Sequence, residues 1–70
     1  MSHIVFDFRK EETCVGTKRF SSEDTLIPRM GEMVDMEKEG NEVLYGKVEK
    51  VEHLLTRTPK EVWITVKVER

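Results

Sequence analysis

The sequence predicts an all-β fold in which residues 1–70 form a single small barrel of five strands. Apolar and polar residues alternate with a period of two in the first and last segments, as in strands that bury one face. Segments rich in Gly, Pro and charged residues recur about every ten residues, which is typical of the turns in small barrels and sandwiches. A chain of 70 residues has room for one hydrophobic core.

The first two strands are predicted near residues 3–9 and 13–20. Large apolar side chains alternate with other residues from Ile4 to Phe8, so the first strand has a clear buried face. The second strand is weaker and is favoured by its β-branched residues. Gly16 interrupts it and indicates a bulge or a close approach of another backbone segment.

The third strand is predicted near residues 33–37. Pro28 biases the residue before it towards extended backbone, and Gly31 permits a positive φ, so an extended entry and a turn should precede this strand. Gly40 and Asn41 suit a tight hairpin turn into the fourth strand.

The stretch 43–57 admits two interpretations. Four apolar residues recur at helical spacings: Leu44, Val48, Val51 and Leu55. Gly46 and the valines disfavour a helix. A strand over 43–56 accommodates the same residues if a bulge near 49–50 shifts the phase by one, and such a bulge bends a long strand around a barrel. The bent strand is our prediction, and the helix is the alternative.

The last strand, near residues 61–69, shows the clearest alternation. Its inward positions are all aliphatic: Val62, Ile64, Val66 and Val68. A turn containing Pro59 precedes it, so the fourth and fifth strands should form an antiparallel hairpin. Trp63 then points to the outer face, where either other residues cover it or it serves as an interface anchor.

Composition limits the chemistry that the chain can perform. The formal net charge is −2 and both signs are closely mixed, which gives no basic stripe for nucleic acid. A single cysteine, Cys14, excludes an internal disulfide, and with two histidines it does not make a zinc ligand set. We therefore expect no metal and no cofactor. The lone thiol, with no signal-peptide core or membrane span, indicates the cytoplasm.

A longer pattern begins at Ile27 with Ile-Pro-Arg-Met-Gly-Glu-x-Val and a glycine turn. It continues with Tyr-Gly-Lys-Val-x-x-Val-x-His from Tyr45 to His53, and ends in the alternating valines. This pattern resembles short, mostly uncharacterised SH3-like small β-barrel proteins of phage and prophage genomes, over roughly residues 27–68. The resemblance implies an SH3-like barrel and an accessory interaction role.

No set of residues makes a catalytic constellation, so the sequence predicts a non-enzymatic protein-interaction module. Trp, Tyr and Arg dominate binding hot spots, and small barrels also bind peptides by adding a strand at an open edge. The candidate partner-binding residues are Trp63, Tyr45, Arg29 and Lys67. With the resemblance, this becomes a phage or prophage accessory protein that binds a host or phage protein still to be identified.

Two alternatives remain open. Single-stranded nucleic acid would use aromatic stacking and phosphate contacts, although the net negative charge argues against it. The residues for that role are Trp63, Tyr45, Phe20, Lys18, Arg19, Lys47 and Lys67. The other alternative is an oligomeric structural component, because a core this small often needs a second copy for stability. No membrane partner is expected.

Overall fold

The computed structural model describes residues 2–23, 25–38, 40 and 42–69, which contain five strands and no helix. The strands are β1 (Ser2–Lys10), β2 (Thr13–Ser21), β3 (Met33–Lys38), β4 (Glu42–Leu54) and β5 (Lys60–Val68). Each begins and ends within two residues of its predicted bounds, so the five-stranded all-β prediction is confirmed. In the described part of the chain, no helix is long and apolar enough to cross a membrane.

The strands form one sheet in the order β2-β1-β5-β4-β3. The central pair, β1 and β5, is parallel, with Ile4 opposite Val62 and Phe8 opposite Val66. The other three pairs are antiparallel, and these include the predicted hairpin of β4 and β5. Residues 39 and 41 of the predicted turn before β4 lie outside the described residues, and Gly40 has a φ of 82°.

A bulge in β4 allows this long strand to serve two parts of the sheet. Val48 lies opposite Val66 and Lys50 lies opposite Thr65, so Glu49 is the extra residue. The shift of one residue places Val51 among the partly buried side chains that pack against the core. The bent strand is therefore confirmed, and the helical alternative for this stretch is wrong.

The core lies on the concave face of the curled sheet. Every member comes from an alternating position of β1, β4 or β5: Ile4, Phe6, Phe8, Val48, Val62, Ile64, Val66 and Val68. Phe20 of β2 contacts Phe6 edge to face, with ring centres 5.7 Å apart. This arrangement follows directly from the period-two alternation in the sequence.

The sheet curls into a half-barrel and not into a full barrel. In the described part of the chain, β2 and β3 each have one neighbouring strand. A Cβ built on Gly16 of β2 would lie 2.8 Å from the Met36 methyl group and 3.0 Å from a methyl of Leu44. These side chains fill the space beside Gly16 and hold the backbones of β2 and β3 apart. Beside Gly16 the register of β1 and β2 shifts by one residue, because Phe8 lies opposite Gly16 and Arg9 lies opposite Cys14. Of the two features predicted at Gly16, the bulge is therefore confirmed, whereas the groups that approach it are side chains and not backbone.

Gly46 lies where β4 and β5 pass closest to each other. A Cβ built there would overlap the backbone carbonyl oxygen of Lys67. We expect Gly46→Ala to lower the free energy of unfolding by about 3 kcal/mol, because backbone cannot move aside as a side chain does. Gly16→Ala is the matched control and should cost about 1 kcal/mol, since flexible side chains can rotate away. Urea unfolding followed by Trp63 fluorescence measures both, and equal costs would contradict this account.

The turn between β1 and β2 carries a second local constraint. Glu11 and Glu12 both have positive φ, 50° and 70°, where glycine is favoured. We expect Glu12→Gly to raise the free energy of unfolding by about 1 kcal/mol, because it removes the Cβ strain of the left-handed region. The bond from the Arg9 guanidinium to the Glu12 carbonyl is retained, since it uses backbone. Thr13→Gly, in extended backbone, should lower stability in the same thermal unfolding experiment.

Candidate functional site

A cleft of about 600 Å³ opens along the seam between β2 and β3. Its floor contains the core aromatic rings of Phe6 and Phe8, and Phe20 and Lys18 form the β2 side. The opposite side is formed by every residue of β3 from Met33 to Glu37, together with Tyr45. The connection between the two strands completes the rim with Thr25, Leu26 and Pro28. The cleft therefore exists because the half-barrel does not close.

Within the part of the chain that the structure describes, the backbone of β3 presents unpaired hydrogen-bonding groups to this cleft. Val48 donates its backbone N–H to the Glu32 carbonyl, so these two residues form a hydrogen-bonded pair. This contact determines which residues of the antiparallel strands β3 and β4 exchange hydrogen bonds. Bonded and non-bonded pairs alternate, so Met33, Asp35 and Glu37 direct their N–H and C=O groups away from β4. These groups face the open seam, which is the geometry needed to add another strand.

Several large apolar residues are exposed at or near the rim of the cleft. Leu26 is 90% exposed, Met33 is 42% exposed and Tyr45 is 45% exposed. Met30, in the turn that leads into β3, is 67% exposed. Single exposed apolar residues are ordinary, but a group of them beside a cleft is typical of an interaction surface.

Charge is distributed unevenly across the cleft. On the β2 side, the Lys18 ammonium lies 6.0 Å from the centre of the Phe20 ring. On the β3 side, Asp35 and Glu37 are exposed, and neither makes an ion pair with the side chains that the structure describes, which leave out that of Lys38. The two walls therefore differ in sign, and the β3 wall is the more acidic.

A separate cluster covers the outer, convex face of the sheet. Glu61 is only 8% exposed and accepts hydrogen bonds from three side chains: Arg19 (2.7 Å), Arg57 (2.7 Å) and the Trp63 indole N–H (2.9 Å). The Arg57 guanidinium also lies 5.9 Å from the centre of the Trp63 ring. Val5, fully buried, is the β1 neighbour of both Arg19 and Trp63. The long polar side chains thus shield an apolar residue on the outer face.

These contacts strongly favour the ionised form of Glu61. The indole N–H of Trp63 and the guanidinium groups of Arg19 and Arg57 donate to the carboxylate, and they lower its pKa from an ordinary 4.5 to about 2. Partial burial acts in the opposite direction and is outweighed. The Glu61 carboxylate is therefore a structural anion that fixes the surrounding side chains.

The four predicted partner-binding residues do not converge. Tyr45 lines the cleft, whereas Trp63 is half-buried in the outer cluster and has Glu52 as its neighbour on β4. Because Tyr45 lies beside Glu69, six residues further along β5, roughly 20 Å of strand separates it from Trp63. Arg29 is exposed in the turn before β3, where its backbone N–H donates to a Glu32 carboxylate oxygen.

Lys67, the fourth candidate, lies on the outer face between two other cations. Arg9 is its neighbour on β1 and Lys47 is its neighbour on β4. This row is not a net basic surface, because a depression that includes Arg9 and Lys67 is also lined by carboxylates: Glu11, Glu12 and Glu49.

The residues of the nucleic-acid alternative are likewise divided between surfaces. Phe20 and Lys18 lie in the cleft, and Trp63 lies on the outer face. Arg19 is engaged with Glu61. Across residues 2–23, 25–38, 40 and 42–69, no three His, Cys, Asp or Glu side chains come together as a metal site.

Comparisons with protein-family models, curated proteins and solved structures found no match to this chain.

The sequence interpretation missed two features. The cleft depends on which strands lie at the sheet edges, and no local pattern in the sequence records that order. Glu61 had a weaker signal: it lies two residues before Trp63 in a strand, hence on the same face, and four residues after Arg57. A carboxylate with an aromatic and a basic neighbour at those spacings indicates a polar cluster.

The low pKa of Glu61 predicts a pH-dependent contribution to stability. Because the folded-state pKa is lowered, the contribution is complete above about pH 4.5 and is lost as the pH falls towards about 2. We expect Glu61→Gln to lower the urea midpoint near neutral pH. The difference in midpoint from the wild type should vanish as the pH approaches about 2. Glu52→Gln removes an exposed pair with Lys50 (3.5 Å) and should have little effect. A difference for Glu61→Gln that does not change with pH would contradict the ionised cluster.

Proposed function

We propose that this chain is a non-enzymatic protein-interaction module that binds an extended segment of a partner protein in the cleft between β2 and β3. The observation that carries the proposal is the coincidence of an apolar cleft with an edge strand whose outward backbone groups have no partner among the described residues. Strand addition at such an edge gives affinity through main-chain hydrogen bonds, and pockets for alternate side chains give specificity.

The cavity favours β3 as the edge that pairs with the partner. It touches every residue from Met33 to Glu37, but on β2 only Lys18 and Phe20. A partner main chain lying along β3 would direct alternate side chains onto Phe6 and Phe20. Burying this apolar surface would also offset the small core of a 70-residue domain.

Tyr45 is the predicted partner-binding residue that this proposal retains at its centre, with Arg29 at the rim. Trp63 has its indole N–H bonded and its ring covered by Arg57, so the proposal assigns it to stability. Lys67 lies on the outer face and has no part in the cleft. The proposed contact with the partner therefore lies at the edge of β3, and not at Trp63 of β5.

The proposal also includes the type of barrel, the biological role and the location of the protein. The curled five-stranded sheet supports an SH3-like barrel that a partner strand would complete, and the resemblance of residues 27–68 to phage and prophage small barrels supports an accessory role. A cytoplasmic location fits the exposed free thiol of Cys14.

A backbone substitution tests strand addition without altering the core. The N–H of Asp35 points away from β4, so Asp35→Pro removes no hydrogen bond of the sheet, and edge strands tolerate proline. Dodecapeptides are first selected from a random library on the immobilised protein, and their affinities are measured by fluorescence polarisation. We expect Asp35→Pro to weaken the best peptide by more than about tenfold, since pairing with β3 is blocked.

Three controls separate this effect from other causes. Asp35→Asn keeps the N–H and should weaken binding less than Asp35→Pro. Thr17→Pro blocks the β2 edge, and Trp63→Phe changes the outer cluster, so both should leave affinity unchanged. Circular dichroism checks that each variant folds. The proposal fails if no peptide is selected, or if the selected peptides bind Asp35→Pro as well as the wild type.

A further inference from the structure

We infer that the partner segment is basic: an extended strand in which Lys or Arg alternates with apolar residues. This inference rests on the proposed function, because it names the chemistry of the segment that pairs with β3. The apolar residues would face the floor of the cleft, and the basic residues would face the opposite side, beside Asp35 and Glu37.

The first step is the position of the two carboxylates. Asp35 and Glu37 occupy alternate positions on β3 and therefore share one face of the strand. Both are residues whose backbone groups point to the open seam, as the alternation of hydrogen-bonded pairs requires. Residues of an added strand directly opposite them would place their side chains on the same face, about 5 Å away between Cβ atoms.

The second step is the missing compensation of this charge. Among the side chains that the structure describes, which do not include that of Lys38, no cation forms an ion pair with either carboxylate, although four ion pairs occur elsewhere. Lys18, the cation that lines the cleft, is held over the Phe20 ring on the opposite wall. A basic partner residue would supply the opposite charge, whereas an acidic residue directly across from these carboxylates would be repelled.

The third step is the aromatic neighbour. Tyr45 is directly opposite Asp35 on β4, in a pair that does not exchange hydrogen bonds and whose side chains are therefore close together. Tyr45 is 45% exposed and lines the same cleft. A long cationic side chain that passes Asp35 can lie over this ring, which attracts cations through its π face. Carboxylate and ring together distinguish Lys or Arg from neutral residues.

Apolar selectivity comes from the other face of the same added strand. Its alternate residues would contact Phe6, Phe20 and Met36, all of which line the cleft. Methionine adapts to side chains of different shape, so this floor would select apolar partner residues in general more than one particular residue type. The recognised pattern is therefore alternation of charge and apolarity, and not one fixed sequence.

The test uses the charge of peptides selected from the random dodecapeptide library. On the wild type we expect Lys and Arg to be enriched at alternate positions. On Asp35→Lys/Glu37→Lys the enrichment should change to Asp and Glu, and peptides selected on the wild type should bind at least about tenfold more weakly at low salt. Glu11→Lys/Glu49→Lys makes the same change of charge outside the cleft, and it should keep the selectivity of the wild type.

The outcomes separate this inference from the function on which it rests. Selected peptides that Asp35→Pro excludes, but that show no excess of Lys or Arg, overturn the basic partner and leave strand addition standing. Enrichment of basic residues that persists on Asp35→Lys/Glu37→Lys also overturns it. Light scattering gives the remaining outcome: if the protein alone forms a multimer that Asp35→Lys/Glu37→Lys dissociates, the occupant is a second copy, whose β2 carries Lys18 and Arg19, and a separate partner is excluded.

Discussion

The parallel pairing of β1 with β5 is the constraint on which the rest of this structure depends. These two strands supply the most deeply buried side chains, among them Phe8 and Ile64. Parallel neighbours cannot be joined by a short turn, so the chain forms the three other strands between β1 and β5. Because β1 and β5 are adjacent in the sheet, these three strands must lie on the outer sides of the pair. β2 therefore extends the sheet on one side, β4 and β3 extend it on the other, and the two outermost strands become edges.

Curvature then determines whether those edges meet. The bulge at Glu49 bends β4, and Val34 and Met36 of β3 pack against the core on the concave face. The Met36 and Leu44 side chains reach β2 at Gly16 and fill the space there. Further along the seam Lys18 and Phe20 replace the glycine, and the cleft opens. The seam is therefore packed where β2 carries Gly16 and accessible beside Lys18 and Phe20.

The sequence predicts the strands well because alternation and turn chemistry are local. The bulge in β4 was also predictable, since the apolar phase between Val48 and Val51 changes by one residue. Edge order was not predictable in the same way, because the pairing of β1 with β5 joins residues nearly sixty positions apart. The surroundings of Trp63 depend likewise on Arg19, from a distant strand. The alternation correctly placed this residue on the outer face, but it could not show that Glu61 would engage its indole N–H.

The charges on β3 also bear on whether its open edge pairs with a second copy of the chain. Exposed edge strands tend to pair with one another, and charged side chains oppose this. Antiparallel pairing of two β3 edges would bring Asp35 and Glu37 of one copy against the same carboxylates of the other, which is unfavourable. The same two residues attract a strand of opposite charge. A single feature thus discourages the symmetric contact between copies and, in the binding mode that we propose, favours a heterologous one. Under that proposal the acidity of β3, more than the apolar floor of the cleft, decides which segment can complete the half-barrel.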